Sequence, residues 1–326
     1  MRRLTLLLAA LVGVFALAPE AHASNDSYFN EQWNLARANV PDAWGTSTGA
    51  IRVGVVDTGI DAGHPDISGH VVASAGCQNA SGGNASECTG SADDVVGHGT
   101  HVGGIIAATK DNGEGVAGVA PSAQLVFARV FDDSGSTDYP EVLAGARWAI
   151  DHGAKVINFS LGDGGLYGTG LLITNSQMKD VANQVWGAGV IPVVAAGNGQ
   201  PTCGEWSNTN AVVVTATGFN DERADDACAP TNARWGVAAP GGNSHGGCDV
   251  GAGQNPCVLS TYARSKTPPG NAPYAYLEGT SMAAPAVTGA IADLLAKGMS
   301  NIDAINKLLA TVDPVGCGSG CKGRIN

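Results

Sequence analysis

Runs of apolar, mostly β-branched residues alternate along this chain with longer segments in which apolar and polar residues mix at helical spacing. The apolar runs predict strands at residues 51–56, 125–130, 156–159, 190–195 and 212–215, and the mixed segments predict helices at 141–152, 178–186, 281–297 and 301–310. Strands without polar positions are covered on both faces, and strands that alternate with helices form parallel sheets. The pattern therefore predicts an α/β fold: a three-layer, mostly parallel, doubly wound sheet with helices on both faces.

The N-terminus has the pattern of a secretory signal. Arg2 and Arg3 precede an apolar run at 4–18, and the small-residue pattern Ala21-His22-Ala23 follows. A membrane anchor is the alternative, but the run is shorter than the ~20 residues that a spanning helix needs. The sequence predicts a signal peptide at 1–23, a secreted, extracellular protein and no membrane partner.

The remaining residues, 24–326, show no linker, repeat or low-complexity segment and suit one large domain. The formal charge of the whole chain is −12, and removal of two arginines and one glutamate with residues 1–23 makes it −13. The chain has no basic patch, so the charge argues against a nucleic-acid partner and favours solubility. We expect a monomer.

One serine stands where acyl-transfer chemistry would need it. Ser281 follows Gly279-Thr280 and opens an alanine-rich helical pattern, so its hydroxyl lies at a helix N-terminus, where negative charge is favoured. A serine at this position is ordinarily a helix N-cap. The functional interpretation therefore depends on partners elsewhere in the chain.

An aspartate and a histidine supply those partners. Asp57 ends the first predicted strand, and His98 lies between two glycines where a helical segment begins. Taken alone, Asp57 could start an Asx-turn, and His98 with His101 could suggest zinc. However, no glutamate lies between the two histidines as in a zincin, and no third ligand is apparent.

Together these residues provide the groups of nucleophilic catalysis. A serine hydroxyl needs a base to take its proton, and the imidazole needs a carboxylate to hold its tautomer. Asp57, His98 and Ser281 fill these roles. Asn198, in a glycine turn after the predicted strand 190–195, offers an amide for the oxyanion, although an asparagine there also suits a left-handed turn.

These motifs resemble those of the subtilisin-like serine peptidases, particularly the extracellular thermitase-like and subtilisin-like bacterial members. The similar stretches are 56–61, the His98 segment, Asn158-Phe159-Ser160-Leu161-Gly162, Ala195-Ala196-Gly197-Asn198 and the Ser281 segment. The order Asp, His, Ser separates the chain from α/β-hydrolases and chymotrypsin-type enzymes. The resemblance implies a serine endopeptidase of broad specificity, with Asn198 and the Ser281 N–H as the oxyanion hole.

The resemblance also implies how a protein or peptide substrate would bind. Ser160, Leu161 and Gly162 match the segment that lines the primary specificity pocket. Gly135, Ser136 and Thr137 match the opposite strand, and Tyr139 matches the aromatic wall of a more distant subsite. A peptide held between two strands binds chiefly through its main chain, which gives loose specificity.

A structural calcium ion is implied as the cofactor. Three residues match the family's tight site through their side chains: Asp26, Asp66 and Asn112. Three more match it through their backbone carbonyls: Thr109, Glu114 and Val116. Oxygen ligands of these kinds suit Ca²⁺. Such an ion would tie the N-terminal arm to the core.

One departure concerns folding. Family members commonly carry an inhibitory pro-domain, whereas only the short arm 24–50 precedes the first predicted strand. We expect folding to be assisted by calcium and disulfides or by a separate folding helper, with a truncated gene model as the alternative. A proteinaceous inhibitor is a further expected partner.

Eight cysteines in a chain predicted to be exported indicate disulfides. Eight cysteines allow 105 pairings. Spacing favours local pairs around polar, glycine-rich loops: Cys77 with Cys88, Cys248 with Cys257 and Cys317 with Cys321, leaving Cys203 for Cys228. A metal site is the competing interpretation, but the paired Cys-x-x-Cys pattern is absent.

Two other functional classes use the same residues. A non-hydrolytic binding protein on a peptidase scaffold would normally lack a member of the triad, and all three residues are present. Acyl transfer to an amine differs from hydrolysis only in excluding water, which the sequence hardly reports.

Overall fold

The structure is a computed structural model that describes residues 24–161, 173–199, 203–244, 247–248 and 255–326. The predicted signal peptide, 1–23, lies outside the described residues.

A parallel sheet of eight strands runs through the described part of the chain. Its strands are Arg52–Asp57 (β1), Val71–Gly76 (β2), Gln124–Arg129 (β3), Val156–Phe159 (β4), Ile191–Ala195 (β5), Val212–Thr217 (β6), Trp235–Pro240 (β7) and Cys321–Arg324 (β10). A two-stranded antiparallel ribbon, Val258–Thr261 (β8) and Tyr274–Leu277 (β9), lies outside it. The order across the sheet is β10-β7-β6-β5-β4-β1-β3-β2. β3 and β2 therefore lie on one side of β1, and the later strands from β4 onward lie on its other side. Such a reversal of strand order is the switch point where sites form in parallel sheets.

Helices cover both faces of this sheet. The described helices are Trp33–Arg37 (α1), Val40–Trp44 (α2), His98–Ala107 (α3), Tyr139–Asp151 (α4), Asn175–Gly187 (α5), Thr280–Ala296 (α6) and Asn301–Ala310 (α7). The core residues of α3 and α6 join one hydrophobic cluster, and those of α4 and α5 join another. The predicted three-layer α/β fold is confirmed.

The alternation of side chains along the strands produces the two clusters. In β3, Leu125 and Phe127 face the α3 and α6 side, whereas Val126 and Ala128 face the α4 and α5 side, and all four are fully buried. Successive side chains of a strand point to opposite faces, so an uninterrupted apolar run fills two cores at once.

Helix caps set several boundaries that the apolar pattern left open. The predicted helix 178–186 begins three residues earlier, at Asn175, because Thr174 and Gln177 form a capping box. The predicted helix 141–152 begins at Tyr139 because Asp138 and Glu141 form another. For the predicted 301–310 helix the bounds agree, and Ser300 caps it by accepting from the Asp303 N–H at 3.2 Å.

Four disulfides join the cysteines in the local pairs that spacing favoured. They are Cys77–Cys88, Cys203–Cys228, Cys248–Cys257 and Cys317–Cys321. Each closes a loop of between 4 and 25 residues of sequence separation. Cross-links of this kind restrict the unfolded chain and resist local opening of the loops.

Among the described residues, no helix combines the length and apolar character needed to cross a bilayer.

One buried carboxyl group on α6 gives a prediction about stability. The Asp293 side chain is 7% exposed, and its Oδ1 has no hydrogen-bond partner within the described residues. Burial raises the pKa of Asp293 to about 7, against weaker lowering by Ser47 and Lys297. The folded state therefore holds this proton more tightly than the unfolded state, and the group's contribution to stability falls as pH rises from about 4 through 7.

We expect Asp293→Asn to raise the free energy of unfolding at pH 9 by up to about 4 kcal/mol and to change it little at pH 4. Thermal unfolding of the variant and its parent from pH 4 to 9, both carrying Ser281→Ala to prevent self-digestion, measures this. A stability difference that does not grow with pH would contradict the assignment.

Candidate active site

The candidate site lies at the carboxyl ends of three neighbouring strands. Asp57 is the last residue of β1, Ser160 directly follows β4, and Asn198 lies three residues beyond β5. Two helices that pack against each other begin at the same edge, α3 with His98 and α6 with Thr280-Ser281. The sheet topology thus gathers residues that are far apart in sequence.

The imidazole of His98 and the carboxylate of Asp57 form a buried pair. Nδ1 of His98 lies 2.7 Å from Oδ1 of Asp57, and the two residues are 3% and 0% exposed. The same Oδ1 accepts the backbone N–H of Thr58 at 2.7 Å, which holds the carboxylate in place. This contact requires the His98 tautomer that carries its proton on Nδ1, leaving Nε2 as a base.

The charge environment favours protonation of His98. Burial by itself lowers the pKa of the imidazole, but the charge of Asp57, the hydrogen bond that His98 donates to Asp57 and the charge of Asp94 together raise that pKa above the usual range. A base with a raised pKa is active only above that pKa. The arrangement therefore suits neutral to alkaline conditions.

Asp94 is a functional residue that the sequence analysis did not identify. Its carboxylate is buried and accepts the backbone N–H groups of Val96, Gly97 and Thr100 at 2.8–3.0 Å, as well as the Thr100 hydroxyl at 2.6 Å. It also accepts the hydroxyl of Thr58, the residue after Asp57, at 2.9 Å. Asp94 therefore connects the start of the His98 helix to the strand that carries Asp57. An acid four residues before a helix-opening histidine is the sequence signal that could have shown it.

Glycine is required just before His98. Gly97 has φ of 102°, and a Cβ at this position would lie 2.4 Å from the Tyr262 ring. A side chain would be strained by the backbone conformation and would clash as well.

We expect Asp94→Asn to move the acid limb of the kcat/KM profile to lower pH, because it removes a negative charge that raises the pKa of His98. Loss of activity with falling pH marks protonation of His98, so a lower pKa extends activity into acid. Peptide hydrolysis followed from pH 5 to 10 measures the limb. Asp93→Asn, at the exposed neighbouring carboxylate, is the matched control and should leave the limb in place. An unshifted limb in folded Asp94→Asn would contradict this role.

Ser281 lies in the first turn of α6 and is partly exposed. Its hydroxyl donates to the Ser160 carbonyl at 3.3 Å, and its own carbonyl accepts the Ser160 hydroxyl at 2.9 Å. No hydrogen bond joins Ser281 to His98 among the described residues. Active-site contacts are often loose before substrate binds, so this geometry does not remove Ser281 from the candidate set.

A buried polar network attaches the Ser281 helix to the sheet. Asn158, within β4, donates through Nδ2 to the Ser160 hydroxyl at 2.9 Å and accepts the Thr288 hydroxyl of α6 through Oδ1 at 3.0 Å. All three of these side chains are 1% exposed or less. Satisfied buried networks of this kind restrict the relative position of the elements that they join.

The Asn198 side chain is oriented by the start of α6. Its Oδ1 accepts the Thr280 N–H at 3.0 Å and the Thr280 hydroxyl at 3.2 Å, so its NH₂ group faces away from Thr280. Asn198 is exposed, and its NH₂ group has no partner within the described residues. The Ser281 N–H belongs to a first helical turn, where no carbonyl of the same helix is available to it. Within the part of the chain that the structure describes, two donors are therefore without an acceptor at the edge where Ser281 lies.

The residues predicted to hold substrate are found in two regions. Ser160 and Leu161 are buried beside Ser281, while Gly162 lies outside the described residues. Gly135, Ser136 and Thr137 form the end of a turn in which Ser136 donates its N–H to Asp132 at 2.9 Å. Tyr139 begins α4, and its hydroxyl donates to Asp180 of α5.

His101, the alternative metal ligand, is a buried neutral histidine. Its Nε2 lies 3.2 Å from the Val258 carbonyl and 3.0 Å from that of Ala275, so it donates to the β8–β9 ribbon. Burial, with a smaller effect of His98, lowers the pKa of His101 to about 3. A histidine that donates to two carbonyls through Nε2 holds the β8–β9 ribbon against α3.

The residues predicted to bind calcium lie around one loop. Asp26 accepts the Asn112 N–H at 3.0 Å, and Asp66 accepts the Asn112 side-chain amide at 2.6 Å and the Val116 N–H at 2.9 Å. The Thr109 N–H donates to the Asp66 carbonyl at 2.8 Å. Burial is the largest factor that raises the pKa of Asp66, and the nearby charge of Asp26 raises it further. Two carboxylates in mutual repulsion beside a carbonyl-rich loop fit the oxygen chemistry of a calcium ion.

A second group of metal-type ligands has a different explanation. Cys248, Cys257 and Glu278 lie close together. Because the two sulfurs form a disulfide, they are not thiolate ligands.

Comparison with known proteins agrees with this geometry. The model of the subtilase family matches residues 48–310. Thermitase from Thermoactinomyces vulgaris is 33% identical over 312 residues, which cover 94% of this chain and 98% of thermitase. Subtilisin DY from Bacillus licheniformis is 35% identical over 292 residues, 86% of this chain and 90% of that protein. A solved structure from Pseudoalteromonas arctica, described as a protease, aligns with a TM-score of 0.74 at 30% identity and covers 93% of this chain and 97% of that one.

The chain belongs to the subtilase family and is a subtilisin-like serine peptidase. The resemblance inferred from its sequence motifs is confirmed. The substrates of the protein are proteins or peptides.

Proposed function

We propose that the protein is a secreted endopeptidase that cleaves proteins with broad specificity through an Asp57-His98-Ser281 triad and an acyl-enzyme. The observation that carries this proposal is the buried 2.7 Å contact between His98 and Asp57 at the sheet edge where the Ser281 helix begins. Residues 1–23 act as a signal peptide, and residues 24–326 form one catalytic domain.

In this mechanism His98 takes the proton of the Ser281 hydroxyl through Nε2 as the oxygen attacks the substrate carbonyl carbon. A rotation of the Ser281 side chain away from the Ser160 carbonyl brings the hydroxyl to the imidazole. Asp57 accepts from Nδ1 throughout and stabilises the imidazolium that forms. His98 then gives the proton to the departing amine, and water later attacks the acyl-enzyme with His98 again as base.

The negative oxygen of each tetrahedral intermediate accepts hydrogen bonds from the Asn198 NH₂ group and the Ser281 N–H. Both donors are set before reaction, because Thr280 holds the Asn198 amide and the helix holds the backbone. Donors that need no reorganisation stabilise developing charge most effectively. The positive end of the α6 dipole acts in the same direction.

Substrate binds in this proposal as an extended strand along Ser160-Leu161-Gly162, with Gly135-Ser136-Thr137 on its other side and Tyr139 at a more distant subsite. Main-chain pairing on both sides makes little use of side-chain identity, so specificity is broad.

Product analysis tests hydrolysis against acyl transfer. A protein and a model peptide are incubated with the enzyme, with and without an added amine, and the products are identified by mass spectrometry. Hydrolysis gives internal cleavage with free carboxyl ends in both conditions. Products joined to the amine in preference to water would favour ligation, and an intact peptide with no labelling by a serine-directed fluorophosphonate would favour a binding protein.

We also propose that a structural calcium ion binds Asp26, Asp66, Asn112 and the carbonyls of Thr109, Glu114 and Val116. The ion would neutralise the two facing carboxylates and tie the N-terminal arm to the loop that follows α3. It takes no part in the chemistry of the triad.

Calcium should therefore raise the melting temperature of the Ser281→Ala protein, by an amount equivalent to about 2.7 kcal/mol when the ion is at a hundredfold excess over its Kd. Thermal unfolding in chelator and in calcium measures this. Asp66→Asn should remove most of the effect, whereas Asp42→Asn, at an exposed carboxylate of α2, should not. Equal melting temperatures in chelator and calcium for the parent would exclude the site.

A further inference from the structure

A cleft of about 710 Å³ opens directly beside the oxyanion donor, and we call it the acidic cleft. Its wall includes Asn198 and Gly279 on the catalytic side and Asp225, Asp226, Asn243 and Glu278 around it. The three acidic side chains are exposed, and the described residues of the wall include no lysine or arginine. The acidic cleft is thus a negatively charged extension of the active site.

Sheet order shows which part of a substrate would enter the acidic cleft. Ser160 and Leu161, which would hold the acyl part, follow β4, whereas the segment with Asp225 and Asp226 follows β6 and Asn243 follows β7. Asn198, after β5, lies between them. Since the scissile carbonyl lies at Asn198, the chain beyond the scissile bond continues towards β6 and β7. The acidic cleft receives the leaving-group side.

The segment that carries Asp225 and Asp226 is hydrogen-bonded to the loop that carries Asn198. The Gly199 N–H donates to the Asp226 carbonyl at 2.8 Å, and the Cys228 N–H donates to the Gly197 carbonyl at 2.9 Å, so the segment pairs with both sides of Asn198. The Cys203–Cys228 disulfide reinforces this pairing. The backbone of Asp226 is therefore fixed beside the loop that carries Asn198.

Glu278 lies on the opposite wall of the acidic cleft, and hydrogen bonds hold its carboxylate there. Glu278 lies three residues before Ser281, and its carboxylate accepts the Ser244 N–H and hydroxyl at 2.6 Å each. These contacts hold the carboxylate on the wall of the acidic cleft and leave its charge uncompensated by any described cation.

An independent observation at Asn243 points to a bound peptide. The Asn243 side chain is 8% exposed, and its Oδ1 accepts the Asp225 N–H at 3.3 Å. Asn243 lines the acidic cleft, and its Nδ2 is buried without a partner among the described residues. A buried donor without an acceptor is costly, and the main-chain carbonyl of a bound peptide would satisfy it.

We propose that the acidic cleft selects substrates with lysine or arginine in the first two positions after the scissile bond. Asp226 and Glu278 attract the cationic side chain, and Asn243 donates to the peptide main chain. This inference rests on the proposed endopeptidase function. Because the carboxylates are exposed, each pair contributes modestly and is weakened by salt.

Internally quenched peptides that are identical except for these two positions test the proposal. Arginine is compared with citrulline, which has nearly the same shape without the charge, and with glutamate. We expect kcat/KM at low salt, about 0.05 M, to be about 10-fold higher for arginine than for citrulline, and lower again for glutamate. In about 0.5 M salt, where the Debye length is about threefold shorter, kcat/KM should be nearly equal for arginine and citrulline. Mass spectrometry of the products confirms that the same bond is cut.

Variants assign the preference to the acidic cleft. Asp226→Asn and Glu278→Gln should each reduce the arginine-to-citrulline ratio, and the two together should bring it close to one, while Asp42→Asn should leave it unchanged. Equal rates for arginine and citrulline in the parent enzyme would overturn the selectivity and leave the endopeptidase function standing, whereas no cleavage of any peptide would overturn both. A ratio that persists in the folded double variant would overturn the assignment to these residues, and the salt dependence of the parent tests the charge effect even if that variant does not fold.

Discussion

Ser281→Ala is expected to lower kcat for peptide hydrolysis by about 10⁶-fold, a magnitude that is taken from subtilisin rather than derived from this structure. The variant removes the oxygen that forms the acyl-enzyme, while the Ser281 N–H and Asn198 remain to stabilise an oxyanion. Residual activity above the uncatalysed reaction should therefore persist. Progress curves with a fluorogenic peptide, together with labelling by a fluorophosphonate, measure the loss.

The fold should survive this change, because the hydrogen bond that the Ser281 hydroxyl makes among the described residues is weak, to the Ser160 carbonyl at 3.3 Å. Circular dichroism should match the parent, and the melting temperature should be at least as high, since self-digestion stops. Ser122→Ala is the matched control: this serine is exposed, and its substitution should leave turnover and labelling intact. Undiminished proteolysis or labelling in Ser281→Ala would remove Ser281 from the mechanism.

Much of the central sheet could be predicted from the sequence because its strands are buried on both faces. Five of its strands lie in apolar runs, and each begins within one residue of its predicted start: β1, β3, β4, β5 and β6. The carboxyl ends of these strands carry Asp57, Ser160 and Asn198, so the candidate site followed from the same pattern. Short-range motifs and fully buried strands are the features that a linear sequence reports best.

The outer strands could not be predicted in the same way. β2 is covered on one face only and carries partly exposed residues, and β10, the Cys-Lys-Gly-Arg edge strand, joins β7 through main-chain hydrogen bonds. Main-chain pairing leaves little trace in side-chain composition. β7 contains Gly236 and ends at Pro240, which weaken a strand signal although all its residues are buried.

Within the site, too, some features depend on contacts between distant segments and could not be predicted from the local sequence. Asp94 acts through its hydrogen bonds to Thr58 and to the start of α3, which no periodicity reveals. The acidic cleft is formed by segments after β6, β7 and β9 whose proximity only the fold determines. Roles that depend on distant backbone segments meeting are the ones that required the structure.

Asp57→Asn is expected to lower kcat by about 10⁴-fold while leaving the fold intact, because the side chain keeps its shape. Oδ1 of Asp57 accepts from both the His98 imidazole and the Thr58 N–H. If the new NH₂ group faces Nδ1 of His98, Nδ1 must become the acceptor and Nε2 carries the proton, so the imidazole cannot take a proton from Ser281. The buried negative charge that raises the pKa of His98 is also lost, so the acid limb should move to lower pH.

The pH dependence of kcat and kcat/KM for Asp57→Asn and the parent, measured with one peptide, distinguishes this positioning role from damage to the fold. Substrate binding should change little, so the loss should appear in kcat rather than in KM. Asp151→Asn, at an exposed carboxylate at the end of α4, should retain the activity and pH profile of the parent. Parental kcat in folded Asp57→Asn would show that the 2.7 Å contact with His98 does not support catalysis, and the triad would have to be abandoned.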